Sequence, residues 1–291
     1  MSLGAVSRRA PGLGATAATG TLHLVAAPAP DGRTFLSERS QRFPLRLTVP
    51  LHIDPRRPEM AFLYVQNPTG GLFEDDDLRL SLETCPGASA HLTTQAATKV
   101  YRARAGCARQ RVDLRVASDS FLEYMPDALI PHAGARLEQE LVADVERGGR
   151  LIAAELVAPG RVAHDERFAY ASLSLATRIL VAGREAAADV VTLSPGLRDP
   201  RSPGLLGGHD YVGSLFAVAP GGDAEALAAA VAGAVADAPG CLAATGTLPA
   251  GAGVLVRVLS GSGIAAERAL HAAWSAARVA LLGAPPPRRR K

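Results

Sequence analysis

Asp77-Leu78-Arg79-Leu80-Ser81-Leu82-Glu83 alternates leucine with polar or charged residues. Such a period of two places every second side chain on one face of an extended chain, so it predicts a half-buried strand. Similar alternation returns from Val112 to Val116 and, less strictly, from Leu137 to Val142. We therefore expect a mainly β protein.

Apolar runs of strand length recur along most of the chain, and Gly-, Pro- or Asn-containing turns separate them. These runs are Leu22 to Val25, Leu45 to Ile53, Met60 to Val65, Leu151 to Val157, Phe168 to Val181 and Tyr211 to Val218. Many strands joined by short turns indicate an antiparallel or coiled β architecture.

Two segments near the C-terminus depart from this period. Asp223 to Ala238 is rich in alanine, follows a Pro-Gly-Gly turn and begins with a good N-cap residue. Ile264 to Leu282 has large apolar residues at helical spacing and ends at Gly283. We expect two α-helices that pack on the β body.

Composition narrows the class of protein. The chain has 291 residues, 48% of them hydrophobic, and a net charge of +3, so it can bury a sizeable core. We expect a flexible arm at residues 1–19, a single domain at 20–283 and a basic tail at 284–291. Basic residues cluster only in that tail, which argues against nucleic-acid binding. No apolar run is long enough for a membrane span, and the three cysteines form no C-x-x-C, so a soluble cytoplasmic protein is expected.

Motifs for enzymatic chemistry are missing from the sequence. It contains no G-x-S-x-G nucleophile elbow and no H-E-x-x-H zinc motif. Gly261 to Ala266 fits G-x-G-x-x-A, but a dinucleotide site also needs a following strand and an acidic residue about 20 positions on. We therefore expect a protein that is not an enzyme and holds no tightly bound cofactor.

The segment from Leu92 to Arg102 is unusually polar for its β context. It contains three threonines, a glutamine, a lysine and a tyrosine. A surface strand tolerates threonine well. The same hydroxyl and amide groups also suit a hydrated interior surface. The residues alone leave both interpretations open.

Three blocks of the chain resemble one known family. They are Asn67-Pro68-Thr69-Gly70-Gly71-Leu72 with the acidic residues after it, Thr93-Thr94-Gln95-Ala96-Ala97-Thr98-Lys99-Val100-Tyr101, and Leu122-Glu123-Tyr124-Met125-Pro126-Asp127-Ala128-Leu129-Ile130-Pro131. They are similar to the motifs P-x-G-G-[LI]-x-x-G-D, T-T-Q-A-A-T-K-V-Y and L-E-Y-L-P-D-P-x-I-P of the urease accessory protein UreD family, also called UreH. Weaker similarity extends over residues 20–283. One departure is Glu74-Asp75, where the family has glycine, so the backbone of that turn could differ.

The resemblance implies a mainly β fold, coiled like a β-helix, with two C-terminal α-helices. It also implies a chaperone role in nickel insertion into apo-urease, in a complex with UreF and the GTPase UreG. An interaction scaffold that docks the GTPase complex on urease without contacting nickel is the alternative. The resemblance favours an interior or structural position for the polar motif formed by Thr93, Thr94, Gln95, Thr98, Lys99 and Tyr101.

A transient nickel path is the site hypothesis that follows from this resemblance. Weak oxygen ligands suit an ion that must move on, because a tight cage would stop it. The candidate carboxylates are Asp76, Glu123, Asp127, Glu155 and Glu166. A structural or solvated role is an equally open interpretation for each of them.

Overall fold

A computed structural model describes residues 17–287 of the chain. Most of the predicted arm and tail, residues 1–16 and 288–291, lies outside the described residues. The strands are β1 Thr19–Pro28, β2 Thr34–Arg42, β3 Arg46–Leu47, β4 Ala61–Gln66, β5 Asp77–Thr84, β6 Ser89–Thr94, β7 Thr98–Val100, β8 Ala108–Val116, β9 Phe121–Tyr124, β10 Leu129–Pro131, β11 Arg136–Val145, β12 Arg150–Val157, β13 Ser172–Val181, β14 Arg184–Leu193, β15 Tyr211–Val218, β16 Cys241–Thr247 and β17 Gly253–Ser260. The helices are α1 Ala224–Val235 and α2 Gly263–Leu282.

The strands form two facing sheets. The first has the order β14-β13-β11-β8-β5-β1-β2, and its five inner strands are parallel. The second has the main order β16-β17-β15-β12-β9-β6-β4-β3, with β7 and β10 beside it. From β4 to β13 the chain alternates between the sheets and makes a solenoid-like coil of about 4 turns. The predicted coil of strands with two C-terminal helices is confirmed.

Parallel register stacks the inward side chains of successive coils into rows. The leucines of the opening stretch lie in such rows, because their positions in β5 align with inward positions of β1, β8 and β11. Two rows are apolar across these four strands: Leu22, Leu80, Val112 and Leu141, and Leu24, Leu82, Leu114 and Ala143. Together with the facing sheet they form the larger hydrophobic core.

A second core lies between the outer face of the second sheet and the helices. It includes Trp274 of α2 and Val231 of α1 packed against apolar side chains of β12, β15 and β17. The Asp223 carboxylate caps α1 by accepting the Ala226 N–H, as the sequence predicts. At the C-terminal end of α2, Arg150 Nη1 donates to the Leu281 carbonyl at 2.7 Å. A helix C-terminus is a favourable position for a cation. Packing in the second core attaches both helices to the coil, and Arg150 adds a polar contact to the end of α2.

Several elements differ from their sequence-based boundaries. The strand predicted at Leu45 to Ile53 is wrong in extent: it pairs regularly only at β3, with one further bridge between Leu51 and Phe62. Pro50 lacks the N–H that a continuous ladder requires. The run predicted from Phe168 begins its strand only at Ser172. No helix in residues 17–287 is long and apolar enough to cross a membrane.

Candidate functional site

Polar side chains interrupt the inward rows of the first sheet. Gln110 of β8 pairs in register with Gln139 of β11, so the two amides stand side by side and face the second sheet. In the next row, Thr177 of β13 follows Leu141. A buried amide without a partner is costly, so these residues require polar groups or water opposite them.

The second sheet supplies a matching polar row. Glu155 of β12 pairs in register with Ser214 of β15, which pairs with Arg257 of β17. The Gln139 Nε2 amide donates to Glu155 Oε1 across the gap between the sheets. Polar positions on both sheets therefore meet inside a sandwich that is otherwise filled by apolar side chains.

A narrow cavity of about 30 Å³ follows these polar groups, enough for one or two water molecules. We call it the interior polar cavity, and its polar lining is Thr94, Thr98, Gln110, Tyr124, Asp127, Gln139, Glu155 and Thr177. A wider cavity of about 250 Å³ shares Thr94, Thr98, Gln110 and Tyr124 with it and extends to the exposed residues Gln95 and Ala96. The two cavities thus adjoin each other, and the wider one lies beside the exposed residues Gln95 and Ala96.

The Glu155 carboxyl of the interior polar cavity has a strongly shifted pKa. Burial raises its pKa from 4.5 to about 7, against the opposing effect of the Gln139 hydrogen bond. Asp189 raises the pKa of Glu155 further, and Arg257 lowers it. The group therefore exchanges a proton near neutral pH, where a cation in the cavity would compete with that proton.

At one end of the polar row, Arg257 of β17 forms an ion pair with Asp189 of β14. Arg257 Nη2 contacts both Asp189 oxygens at 2.6 Å, and Arg257 Nη1 donates to Ser214 Oγ at 2.8 Å. Both charged side chains are about one-quarter exposed, at 27% and 22%. The polar row therefore ends near solvent on this side as well.

Some residues of the polar motif line the cavities, and others make structural contacts. Thr94 and Thr98 line both cavities, and Thr94 Oγ1 accepts the Asp127 N–H at 2.9 Å, which fixes the approach to Asp127. Gln95 and Lys99 are exposed beside the wider cavity.

The remaining two residues of the motif make structural contacts. Thr93 lines the wider cavity and donates to the Met125 carbonyl at 2.6 Å. Tyr101 stacks on Phe73 with ring centroids 4.5 Å apart.

Glu123 lies on the opposite face of the second sheet, beneath α2. Its Oε1 accepts the Trp274 Nε1–H at 2.9 Å, and its Oε2 is 2.7 Å from His91 Nδ1. Arg278 Nε is 3.2 Å from Glu123 Oε1, while Arg278 Nη2 is 2.6 Å from Asp54 Oδ2. We call these five residues the buried ion cluster; none of the four charged or imidazole side chains is more than 1% exposed.

Asp76 links the residue before β1 to the turn before β5 through its carboxylate. Its Oδ1 accepts the Ala18 N–H and its Oδ2 accepts the Phe73 N–H, both at 2.8 Å, and the residue is only 2% exposed. Both oxygens are thus used within the fold.

Replacing Asp76 with alanine should destabilise the fold by about 2–4 kcal/mol, because two partly buried N–H groups would lose a charged acceptor. The neighbouring Asp77 is a matched control, since its half-exposed pair with Arg79 should contribute less than about 1 kcal/mol. Urea unfolding of both alanine variants measures the difference. Equal losses for the two variants would contradict this role of Asp76.

Glu166 closes a loop at the surface. Arg161 Nε donates to its Oε2 at 2.7 Å, and the Ala133 N–H donates to the same oxygen at 3.2 Å. The Arg161 hydrogen bond holds the pKa of Glu166 down to about 2. A nickel contact at Asp76, Glu123 or Glu166 stays a prediction, but the protein already supplies donors to these carboxylates.

The departure at Glu74-Asp75 keeps a left-handed backbone. Asp75 has φ +64°, a value that glycine adopts most easily. Glu74 Oε1 accepts the N–H groups of residues 104, 105 and 106 at 2.5–3.0 Å, and these bonds lower the pKa of Glu74. The side chains of this turn thus support a conformation that glycine would adopt without strain.

Three residues in or near the cavity, Gln110, Gln139 and Arg257, were not predicted from the sequence. Gln110 and Gln139 each lie two residues before an inward-facing apolar residue, Val112 and Leu141, and so point to the same face of their strands. Extending the alternation back by two residues from Val112 marks Gln110 as a polar side chain in a core, and Gln139 already lies between Leu137 and Leu141. Arg257 gave no comparable signal, because its partner Asp189 is 68 residues away and on the other sheet.

Comparison with known proteins gives a consistent result. The family model described as UreD urease accessory protein matches residues 18–291. The chain is 41% identical to a urease accessory protein UreD of Mycolicibacterium gilvum, over 86% of this chain and 90% of the relative. It is 39% identical to UreD 2 of Streptomyces griseus over 89% of each chain. With the UreD of Haloarcula marismortui the identity is 35%, over 96% and 92% of the two chains.

Proposed function

Since this chain belongs to the UreD family of urease accessory proteins, we propose that it serves urease maturation by passing nickel through its interior polar cavity to apo-urease. It would do so as a non-catalytic chaperone in the cytoplasm, in a complex with UreF and the GTPase UreG. Nickel is the cargo of this process and is not retained as a cofactor.

The observation that supports a passage is the position of Glu155 and Asp127. Both line a cavity inside the β coil, where most neighbouring inward rows are apolar. A core selected only for stability would gain from apolar side chains at these positions, because moving a carboxylate out of water is unfavourable. A divalent cation would reverse that cost.

The width of the cavity sets the chemistry of transit. A cavity of about 30 Å³ is too narrow for an ion with its complete water shell, so carboxylate, hydroxyl and amide oxygens would replace part of it. Each such oxygen binds nickel weakly, and successive weak sites let an ion enter and leave. Loss of the Glu155 proton near pH 7 would provide the charge when nickel arrives.

Reconstitution tests the proposed function directly. Purified apo-urease, UreF, UreG, GTP and nickel should give active urease when this chain is present and little activity when it is omitted. Bovine serum albumin at equal concentration controls for nonspecific protein stabilisation. Equal activation with and without the chain would refute the proposal.

The alternative, a scaffold that never contacts nickel, makes a different prediction. A scaffold requires only its outer surfaces, so substitutions inside the cavity that leave the complex assembled would not change activation. A passage would lose activation while the complex still forms. The comparison therefore depends on variants whose side chains do not reach the surface.

A further inference from the structure

An exposed apolar ridge lies at one edge of the second sheet. Val49, Leu51 and Ile53 are 73%, 44% and 40% exposed. They lie within five residues on the segment after β3, where Leu51 forms a bridge to Phe62 of β4. We call these three side chains the apolar ridge. Exposed apolar side chains grouped in this way mark interaction surfaces more often than scattered ones.

The segment that carries the apolar ridge is held firmly from behind. Leu51 and Phe62 exchange backbone hydrogen bonds at 3.0 and 2.7 Å, and the Thr48 N–H donates to the Tyr64 carbonyl at 3.1 Å. Just beyond the ridge, Asp54 is only 1% exposed and pairs with Arg278. The ridge is thus presented on a fixed backbone, which lowers the entropy lost on binding.

Positive charge flanks the apolar ridge along the chain. Residues 42–57 contain four arginines and one carboxylate, that of Asp54, which is buried against Arg278. Arg42, Arg46 and Arg56 are exposed, and none of them makes an ion pair with another residue in the range 17–287. Apolar anchors beside arginine are the composition typical of protein interfaces.

We propose that the apolar ridge is a docking surface for a partner protein whose contact face carries apolar side chains bordered by Asp and Glu. The unpaired arginines select an acidic border and speed association by electrostatic steering. Contact through side chains fits this edge better than addition of a strand, because Pro50 has no N–H to pair with an incoming chain.

Two charge-introducing variants test this surface: Val49→Glu and Arg46→Glu. Their matched control is Leu242→Glu, which changes an apolar side chain that is 60% exposed on β16, the opposite edge of the same sheet. Affinity for purified UreF, UreG and apo-urease is measured separately by biolayer interferometry. Circular dichroism melting verifies that all four proteins are folded.

The expected result is that wild-type chain binds one of these proteins and that both ridge variants bind it at least tenfold more weakly. Leu242→Glu should remain within twofold of wild type. Equal binding by all variants, or no binding of any of the three proteins, would overturn the inference. A wild-type dimer in sedimentation that Val49→Glu dissociates would also overturn it, because the occupant would be a second copy of the chain.

The choice of binding partners rests on the proposed function, and the two can fail separately. If urease activation needs the chain but is unchanged in Val49→Glu and Arg46→Glu, the docking surface is wrong and the maturation role stands. If the ridge variants lose binding but activation never depends on the chain, the surface stands and the nickel role is wrong.

Discussion

Replacing Glu123 with alanine is expected to reduce the free energy of unfolding by about 3–5 kcal/mol, as found when one partner of a buried ion pair is removed. The substitution leaves the Arg278 guanidinium, which is fully buried, with one carboxylate in place of two. It also removes the acceptor of the Trp274 indole N–H. Because Trp274 and Arg278 lie one turn apart on α2, the helix would lose much of its attachment to the sheet.

A surface pair of the same charge type provides the control for this prediction. Arg109 and Glu138 are 3.2 Å apart but 56% and 59% exposed, so Glu138→Ala should change the unfolding free energy by less than about 1 kcal/mol. Urea denaturation followed by Trp274 fluorescence and by circular dichroism measures both variants. A loss below about 1.5 kcal/mol for Glu123→Ala would show that the buried ion cluster adds little to stability.

Glu155→Gln is expected to lower nickel-dependent urease activation at least tenfold while leaving the complex assembled. The amide keeps the size of the side chain and can still bond to Gln139, but it removes the only carboxylate that the cavity receives from β12. Wild-type activation should rise as pH increases through about 7, where Glu155 loses its proton. The variant should lack that rise.

Stability should move in the opposite direction from activation. The folded pKa of Glu155 lies above its unfolded value of 4.5, so the folded state binds more protons between these pH values. Wild-type stability should therefore fall by up to about 3 kcal/mol as pH rises from 4.5 to 7 and level off above it. Glu155→Gln should show little of that fall. Unfolding at pH 5 and pH 8 tests the sign.

Glu138→Gln is the matched control for Glu155→Gln. Glu138 neighbours Gln139 on β11, but its side chain points outward and is 59% exposed. It should retain activation and the wild-type pH profile of stability. If Glu155→Gln activates urease as well as wild type and assembly is intact, the chain acts as a scaffold without nickel contact.

Much of the fold was predictable where local pattern and burial agree. The strands at the centre of the first sheet bury one face and expose the other, so the alternation from Leu78 to Leu82 or from Val112 to Val116 identifies them. The first helix was predictable from its alanine content and the N-cap Asp223, and the second from its apolar spacing and the terminal Gly283. Edge strands such as β2 and β14 were not, because several consecutive side chains in each are exposed or only partly buried.

The sequence by itself determined the β-rich class, the two helices and, through the motif from Thr93 to Tyr101, the family. It could not determine which carboxylates meet. Glu123 and Glu155 both occupy apolar strands, yet Glu123 faces α2 and Glu155 faces the other sheet. Only the tertiary structure separates a buried ion cluster from a polar cavity, because the partners of each carboxylate come from coils and helices distant in sequence.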